Sequence, residues 1–351
     1  MKRILFTLSV LLLVFLQSCD VVDSITGSTD DEPVKLFPVQ IEGRWGYINT
    51  DGQLVIEPKF QSASLFHDGL AAVRESWNRK YINKRGEVVI EGNFSSTGDF
   101  SEGKAAVRFD GRWGFINRSG NFVINPKFRD AYSFSNGRAF VRSLHNWGYY
   151  YVDENGRKIE SVDLPDAFDY VETNEFRDGL ALVRDDDDFG YIDKSGNAAI
   201  PLKYNEARPF SEKLAAVKIS DKWGFINSKE AVEISPQFIS AGDFGSGMAP
   251  VRINSNQFGY LNKSGPLVIP EQFDVAETFR EDRAAVFIDG KWTFIDTEGN
   301  QITSPKFDEV EPFFNGLAKV TILVPNEMDD EFTEKVGYIN KSGRYVWYPT
   351  N

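Results

Sequence analysis

The chain is poor in the residues that catalysis uses most: one cysteine, two histidines and three methionines in 351 residues. A lone cysteine excludes an internal disulfide framework. His67 sits in a polar slot after Phe66, and His145 in a loop before Trp147. Neither lies near a Ser or Cys nucleophile motif, and GxGxxG, GxxxxGK and HExxH are all missing. No catalytic residue, cofactor or metal is therefore expected, and an enzyme is not. Helical signals are also nearly lacking, because no stretch holds a 3.6-residue apolar period over three turns. Beyond the first residues, no apolar run approaches the ~20 needed to span a bilayer as a helix.

The start of the chain is different. Met1-Lys2-Arg3 is basic, Ile4 to Leu16 is uncharged and apolar, and the run closes on Leu16-Gln17-Ser18-Cys19. The run is too short to span a bilayer but fits the apolar region of a secretory signal. Its end resembles the lipobox of bacterial lipoproteins. That resemblance implies a signal peptide over 1–18, cleavage before Cys19 and acylation of its sulfur. The only cysteine stands where lipidation requires one. Acyl chains contribute ~0.8 kcal/mol per buried CH₂, so a multiply acylated Cys19 would hold the mature chain to a membrane. Residues 19–33, with the acidic stretch DVVDSITGSTDDEP, carry too little apolar surface to order themselves and read as a flexible tether.

Without Lys2 and Arg3 the net charge of −13 becomes about −15, which argues against nucleic acid, where Lys and Arg on phosphates dominate binding. Aromatics make up 14%, with 29 Phe, enough for a sizeable core.

The remaining chain, 34–351, is repetitive. Trp45-Gly46-Tyr47-Ile48-Asn49 recurs at Trp113, Trp147, Phe189, Trp223, Phe258, Trp292 and Val336, with a degenerate copy at Arg79. Taken at the third position, the aromatics Tyr47, Tyr81, Phe115, Tyr149, Tyr191, Phe225, Tyr260, Phe294 and Tyr338 are spaced 34, 34, 34, 42, 34, 35, 34 and 44 residues apart. A turn Gly follows most anchors by five residues, as at Gly52 and Gly120, but the fourth copy places Gly156 seven residues on. Further on come a Phe (Phe66, Phe100, Phe134, Phe210) and then Gly-x-Ala-x-Val, as in Gly103-Lys104-Ala105-Ala106-Val107. These landmarks resemble the WG-repeat family, over roughly Leu36 to Pro349. The resemblance implies an architecture more than an activity.

Each unit reads as short strands: Ala105 to Phe109, a Gly-bearing loop, Trp113 to Asn117, a turn at Gly120, then Phe122 to Ile124 closed by Pro126. Side chains alternate, so Gly114 opposes Trp113 and Phe115 and leaves room for a neighbouring sheet or backbone. The expected fold is all-β: tandem antiparallel repeats of about 34 residues forming a closed β-propeller-like array of eight to nine units. An open β-solenoid or superhelix is the alternative. Partial units at both ends, from Leu36-Phe37-Pro38-Val39 to Tyr345-Val346-Trp347-Tyr348, suit a ring closed through its termini.

The functional expectation is an envelope-anchored scaffold, exported and membrane-bound through Cys19, that binds a protein partner; a carbohydrate-binding or carbohydrate-active protein is the alternative. Carboxylates are abundant, yet spacing along a β array reveals no pair at the ~5–10 Å a glycosidase needs. The run Asp185 to Asp188 reads as a hairpin loop rather than a calcium site, and the repeated Trp and Phe as core rather than a sugar platform. Insertions in a repeat fall in loops and often on the binding face. Two units are lengthened, which selects Ile159, Asp163 and Leu164 in one and Asn326, Glu327, Asp329 and Asp330 in the other as candidate binding-loop residues.

Overall fold

Alternation of apolar and polar residues predicts strands, and strands are what form. The computed structural model describes residues 34–145, 148–159, 175–185, 187–254, 256–326 and 332–350. The expected signal peptide 1–18, Cys19 and the tether 19–33 lie outside them. No helix occurs among the described residues, and the strands form nine successive antiparallel sheets, one for each pentad. In the third, Ser96–Ser101, Lys104–Phe109, Arg112–Asn117 and Phe122–Phe128 lie side by side in sequence order. The Gly-x-Ala-x-Val run thus makes the second strand of a unit, and the Trp-Gly pentad the third.

The pentad glycine has a steric reason. Trp113 pairs with Phe128 and Phe115 with Ile124, so the fourth strand bulges around Pro126. A Cβ on Gly114 would lie 2.6 Å from the Ile124 carbonyl oxygen and 2.7 Å from the Pro126 nitrogen. The backbone that the glycine admits belongs to its own sheet. Lys80 and Thr293, which stand in place of the glycine in two units, fit this account. Lys80 faces Glu91 in regular pairing, with no proline in the opposing strand. Thr293 is met by no regular fourth strand, only by bridges at Ile295–Gln301 and Trp292–Phe307, and its hydroxyl donates to the Thr303 carbonyl at 2.6 Å.

After each pentad the chain turns on its fifth residue, always Asn or Asp. The Asn117 side-chain oxygen accepts from the amides of Ser119 and Asn121, both at 3.0 Å. Asn49, Asn83, Asp153, Asp193, Asn227, Asp296 and Asn340 do the same. Asn262 makes only the first of these bonds, because Pro266 has no amide hydrogen to give.

The fourth unit corrects a spacing read from the sequence. Val141 pairs with Tyr150 and Phe140 with Tyr151, where the third unit pairs Val107 with Gly114 and Ala106 with Phe115. The anchor aromatic is therefore Tyr151, not Tyr149. Gly156 follows it by five residues, as elsewhere; two extra residues lie in the hairpin before it, and the rest of the added length falls between Gly156 and Phe176.

The core lies between neighbouring sheets. Each anchor packs on a Phe of the next unit: Tyr47 on Phe66, Phe115 on Phe134, Tyr151 on Phe176 and Tyr191 on Phe210, with ring centroids 4.8 to 5.1 Å apart. The hydroxyls of Tyr47, Tyr81, Tyr191 and Tyr260 each donate to a carbonyl seventeen residues on, as Tyr81 does to Gly98 at 2.7 Å and Tyr191 to Arg208 at 2.7 Å. The last unit finds these partners at the start of the chain. Tyr338 packs on Phe37 at 5.6 Å, and its hydroxyl donates to the Pro38 carbonyl at 2.9 Å. Phe37, Val39 and Ile48 share one buried cluster with Leu317 and Tyr338. Phe37 occupies a register position that is Ala in the other units, among them Ala71, Ala105 and Ala215.

Candidate functional site

Three surface features remain once the core aromatics are accounted for. The first is a row of tight turns preceding the second strands. His67-Asp68-Gly69-Leu70 is one, with φ of 49° at Asp68 and 79° at Gly69, the geometry of a two-residue hairpin turn. Successive turns are tied together. The Asp68 carboxylate accepts from the Gly103 amide, Glu102 from Gly137, Asp178 from Lys213, Glu212 from Gly247 and Glu281 from Gly316. The two ends of the row also meet, with the His67 and Phe314 rings 5.9 Å apart.

Beside this row lies Asp243. Burial raises its carboxyl above the usual carboxylate range, against the opposing pull of Arg208, Arg177 and Arg280. Arg177 Nη1 is 3.4 Å from Asp243 Oδ2. A half-hidden acid among three guanidiniums is an electrostatic arrangement, with no nucleophile among the residues acting on it.

The second feature is the junction of the first and last sheets. Two clefts open there, about 250 and 210 Å³, and share Pro38, Trp45, Lys319 and Tyr338 in their walls. The first also touches Glu334, Val336 and Trp347, and the second Leu65 and Phe314. Above them rises the lengthened hairpin Leu317–Pro325 and Phe332–Asn340, which runs three residue pairs past the Ile322–Lys335 pair where a usual unit turns. One of its faces carries Leu323 and Phe332, the latter 63% exposed.

The third lies between the hairpin tips of the first two sheets. Trp77 is 96% exposed over a cleft of about 650 Å³ that Arg44, Gln61 and Arg74 also line. Neither arginine has an ion-pair partner among the described residues. Sequence reading missed this site because it sought Trp at the pentad. Here Arg79 takes the pentad position, and the tryptophan has moved two residues forward into the tip.

The residues singled out from the sequence are dispersed. Ile159 is half-buried against the cluster of the fourth and fifth units, and its amide donates to the Tyr151 carbonyl at 2.9 Å. Asn326 directly follows the strand ending at Pro325. Asp163, Leu164, Glu327, Asp329 and Asp330 lie outside the described residues, as does Trp147. Asp185 and Asp188 pair at a hairpin tip, as expected, while Asp186 is outside the described residues. His67 Nε2 is 3.6 Å from Asp99 Oδ2, and the His145 amide donates to Ser143 Oγ at 3.1 Å, so the two histidines belong to different sites. Among the described residues no group of His, Cys, Asp and Glu is placed to hold a metal.

The model of the WG containing repeat matches this chain seven times, over residues 45–76, 81–113, 113–144, 189–223, 223–256, 258–292 and 292–322. The chain belongs to the WG-repeat family. Most of the WG-repeat array is covered; the lengthened fourth and ninth units fall largely outside the matches, where the hairpins depart from the common length. No curated protein sequence matches the chain. Among solved structures, that of a eukaryotic initiation factor is 11% identical, with 91% of this chain and 97% of that one covered and a TM-score of 0.59. The likeness is one of fold, a propeller-like set of small antiparallel sheets. Kluyveromyces lactis Hsv2 with its loop 6CD replaced by a Gly-Ser linker is 10% identical, covering 70% of this chain and 99% of that one. Its TM-score of 0.41 is too low to carry an argument.

Proposed function

We propose that this WG-repeat chain is an envelope-anchored, non-enzymatic scaffold whose sheets form a closed ring and present a protein-binding surface. One observation carries the reading. Nine sheets are joined by nine buried clusters, whereas an open row of nine would have eight. The ninth cluster joins the first sheet to the last. The repeated aromatics are spent on these junctions, so function falls to what decorates the ring: the tips, the long hairpin and the junction clefts. Anchoring rests on the sequence, in which Cys19 ends an apolar leader and is followed by a polar, acidic tether. In-cell photo-crosslinking of the full chain tests this, with Cys19→Ala as the mislocalised control. Recovery of one protein partner by the lipidated form alone is expected. Equal recovery by both forms, or none by either, overturns the scaffold reading.

A second reading has one observation behind it. Trp77, Arg44 and Arg74 together offer an aromatic face and two guanidiniums without an ion pair among the described residues, which suits an acidic glycan. Trp77→Ala should then abolish retention on uronic-acid polysaccharide and leave the melting temperature unchanged. Unchanged retention removes that reading.

A further inference from the structure

One edge of the first sheet, uncovered among the described residues, points to a specific kind of ligand. In seven of the other eight sheets, the second strand is flanked by a short leading strand or bridge, and its pairing is constant. Ala63 faces Val73, Thr97 faces Val107, Ala131 faces Val141, Ala207 faces Val217, Ala241 faces Val251, Ala276 faces Val286 and Val310 faces Val320. Three residues after each comes the Phe that packs on the preceding anchor. In the remaining one of the eight, the corresponding segment lies outside the described residues. The first sheet has three strands, and no described residue flanks Phe37–Ile41 on that side.

Register carries the rule over to this edge. Val39 stands where Val73 does, and Gln40 where Arg74 does. The Arg74 carbonyl accepts from the Gln61 amide on the leading side. The N–H and C=O of one residue in an antiparallel strand point to the same neighbour, so those of Gln40 face this edge. The two junction clefts run along that edge. The larger touches Val39 and Gln40, and the smaller reaches Leu65 and Phe314.

We infer that this edge binds an extended peptide segment of a partner protein by strand addition, with a small residue opposite Val39 and an apolar side chain two or three residues later in the smaller cleft. Main-chain bonds supply affinity in such complexes, and pockets for alternate side chains supply specificity. The chain's own residues fit poorly. Repeat phase would assign 28–32 to the edge, and these read Ser-Thr-Asp-Asp-Glu, with Glu32 where the seven units have Phe. They would bring three acids beside Glu334 and beside Glu311, to which Lys319 is already paired. Phe37 already supplies the ring that Tyr338 needs, so the junction is packed without a leading strand. Lys319 stands in the wall of both clefts and pairs with Glu311 at 2.7 Å, so the walls are close to neutral and suit an uncharged partner segment.

This inference rests on the scaffold reading and narrows it to one site, but its test is separate. A fluorescein-labelled peptide copying Lys127–Asn136 (KFRDAYSFSN), which carries the fourth unit's leading strand, is titrated by polarisation against the full chain in detergent. Saturable binding is expected. It should weaken at least about tenfold in Gln40→Pro, which removes the outward amide from an edge that tolerates proline. A peptide carrying Glu in place of the alanine should bind equally weakly. An unchanged melting temperature in Gln40→Pro shows that the fold is intact. No binding, or binding indifferent to both changes, overturns the inference. Binding that appears only when residues 20–33 are deleted also overturns it, because the occupant is then the chain itself. Capture of a partner in cells together with a silent peptide would keep the scaffold and discard this site.

Discussion

A single atom decides the pentad glycine. The Cβ of any other residue at Gly114 would press on the Ile124 carbonyl and the Pro126 nitrogen, both backbone and unable to swing away. Overpacking of this kind costs about 1–3 kcal/mol, so Gly114→Ala should lower stability by that amount in urea unfolding. The Lys80 unit shows how evolution avoids the cost, by straightening the opposing strand. Asp243 illustrates a different balance, between burial and charge. Its folded value is raised, so the folded chain holds this proton more tightly than the unfolded one. Stability from this group is therefore lost as pH rises from the ordinary carboxylate range through the raised folded value. Asp243→Asn cannot titrate. The melting temperature of Asp243→Asn minus that of the parent should consequently be more positive at about pH 7 than at about pH 4. A difference that is flat or falls with pH would mean that the three arginines outweigh burial.

At the scale of the element, much was legible before any coordinates. Strand, hairpin and turn follow from the alternation around Trp113 and the glycines and found their place, but the strand expected to close at Pro126 runs on to Phe128 and bulges around the proline instead. What was not legible came from pairing. The fourth unit's Trp147-Gly148 looks like the pentad, yet the cross-strand partners of Tyr150 and Tyr151 set the register, and a pattern of letters carries no partner information. The role of the fifth pentad residue was visible as Asn or Asp but not interpreted. Its carboxamide or carboxylate oxygen closes the turn into the fourth strand through two amides. Asn117→Ala should cost about 1–3 kcal/mol, two hydrogen bonds at ~0.5–1.5 each, while Asn117→Asp should be nearly neutral, since Asp153, Asp193 and Asp296 already fill the slot in other units. Equal losses in the two variants would show that the turn depends on something other than the accepting oxygen. The candidate sites were the least legible part. Trp77 leaves the core because its strand position went to Arg79, and the junction clefts exist only because two ends of the chain, 300 residues apart, meet.

For the whole molecule, the meeting of the ends separates a ring from a row. In a row of repeats each unit leans only on its neighbours, and a lesion at one end is felt locally. In a ring the first sheet is also a neighbour of the last. Phe37 is the residue on which this turns. It replaces the alanine of the other units, and it lends its ring to Tyr338 in place of the leading-strand phenylalanine that the other anchors use. A buried Phe→Ala change costs about 3–5 kcal/mol. In a ring, Phe37→Ala should raise amide exchange in both the first sheet, Phe37–Ile48, and the last, Leu317–Asn340, while Phe210→Ala, at an internal junction, should first loosen the fifth and sixth. Faster exchange confined to the first sheet would mean that the last sheet does not lean on it, and the closed-ring reading would fall. Simultaneous loosening at both ends would place the weakest seam of the proposed scaffold beside the Phe37–Ile41 edge, where strand addition by a partner would brace it.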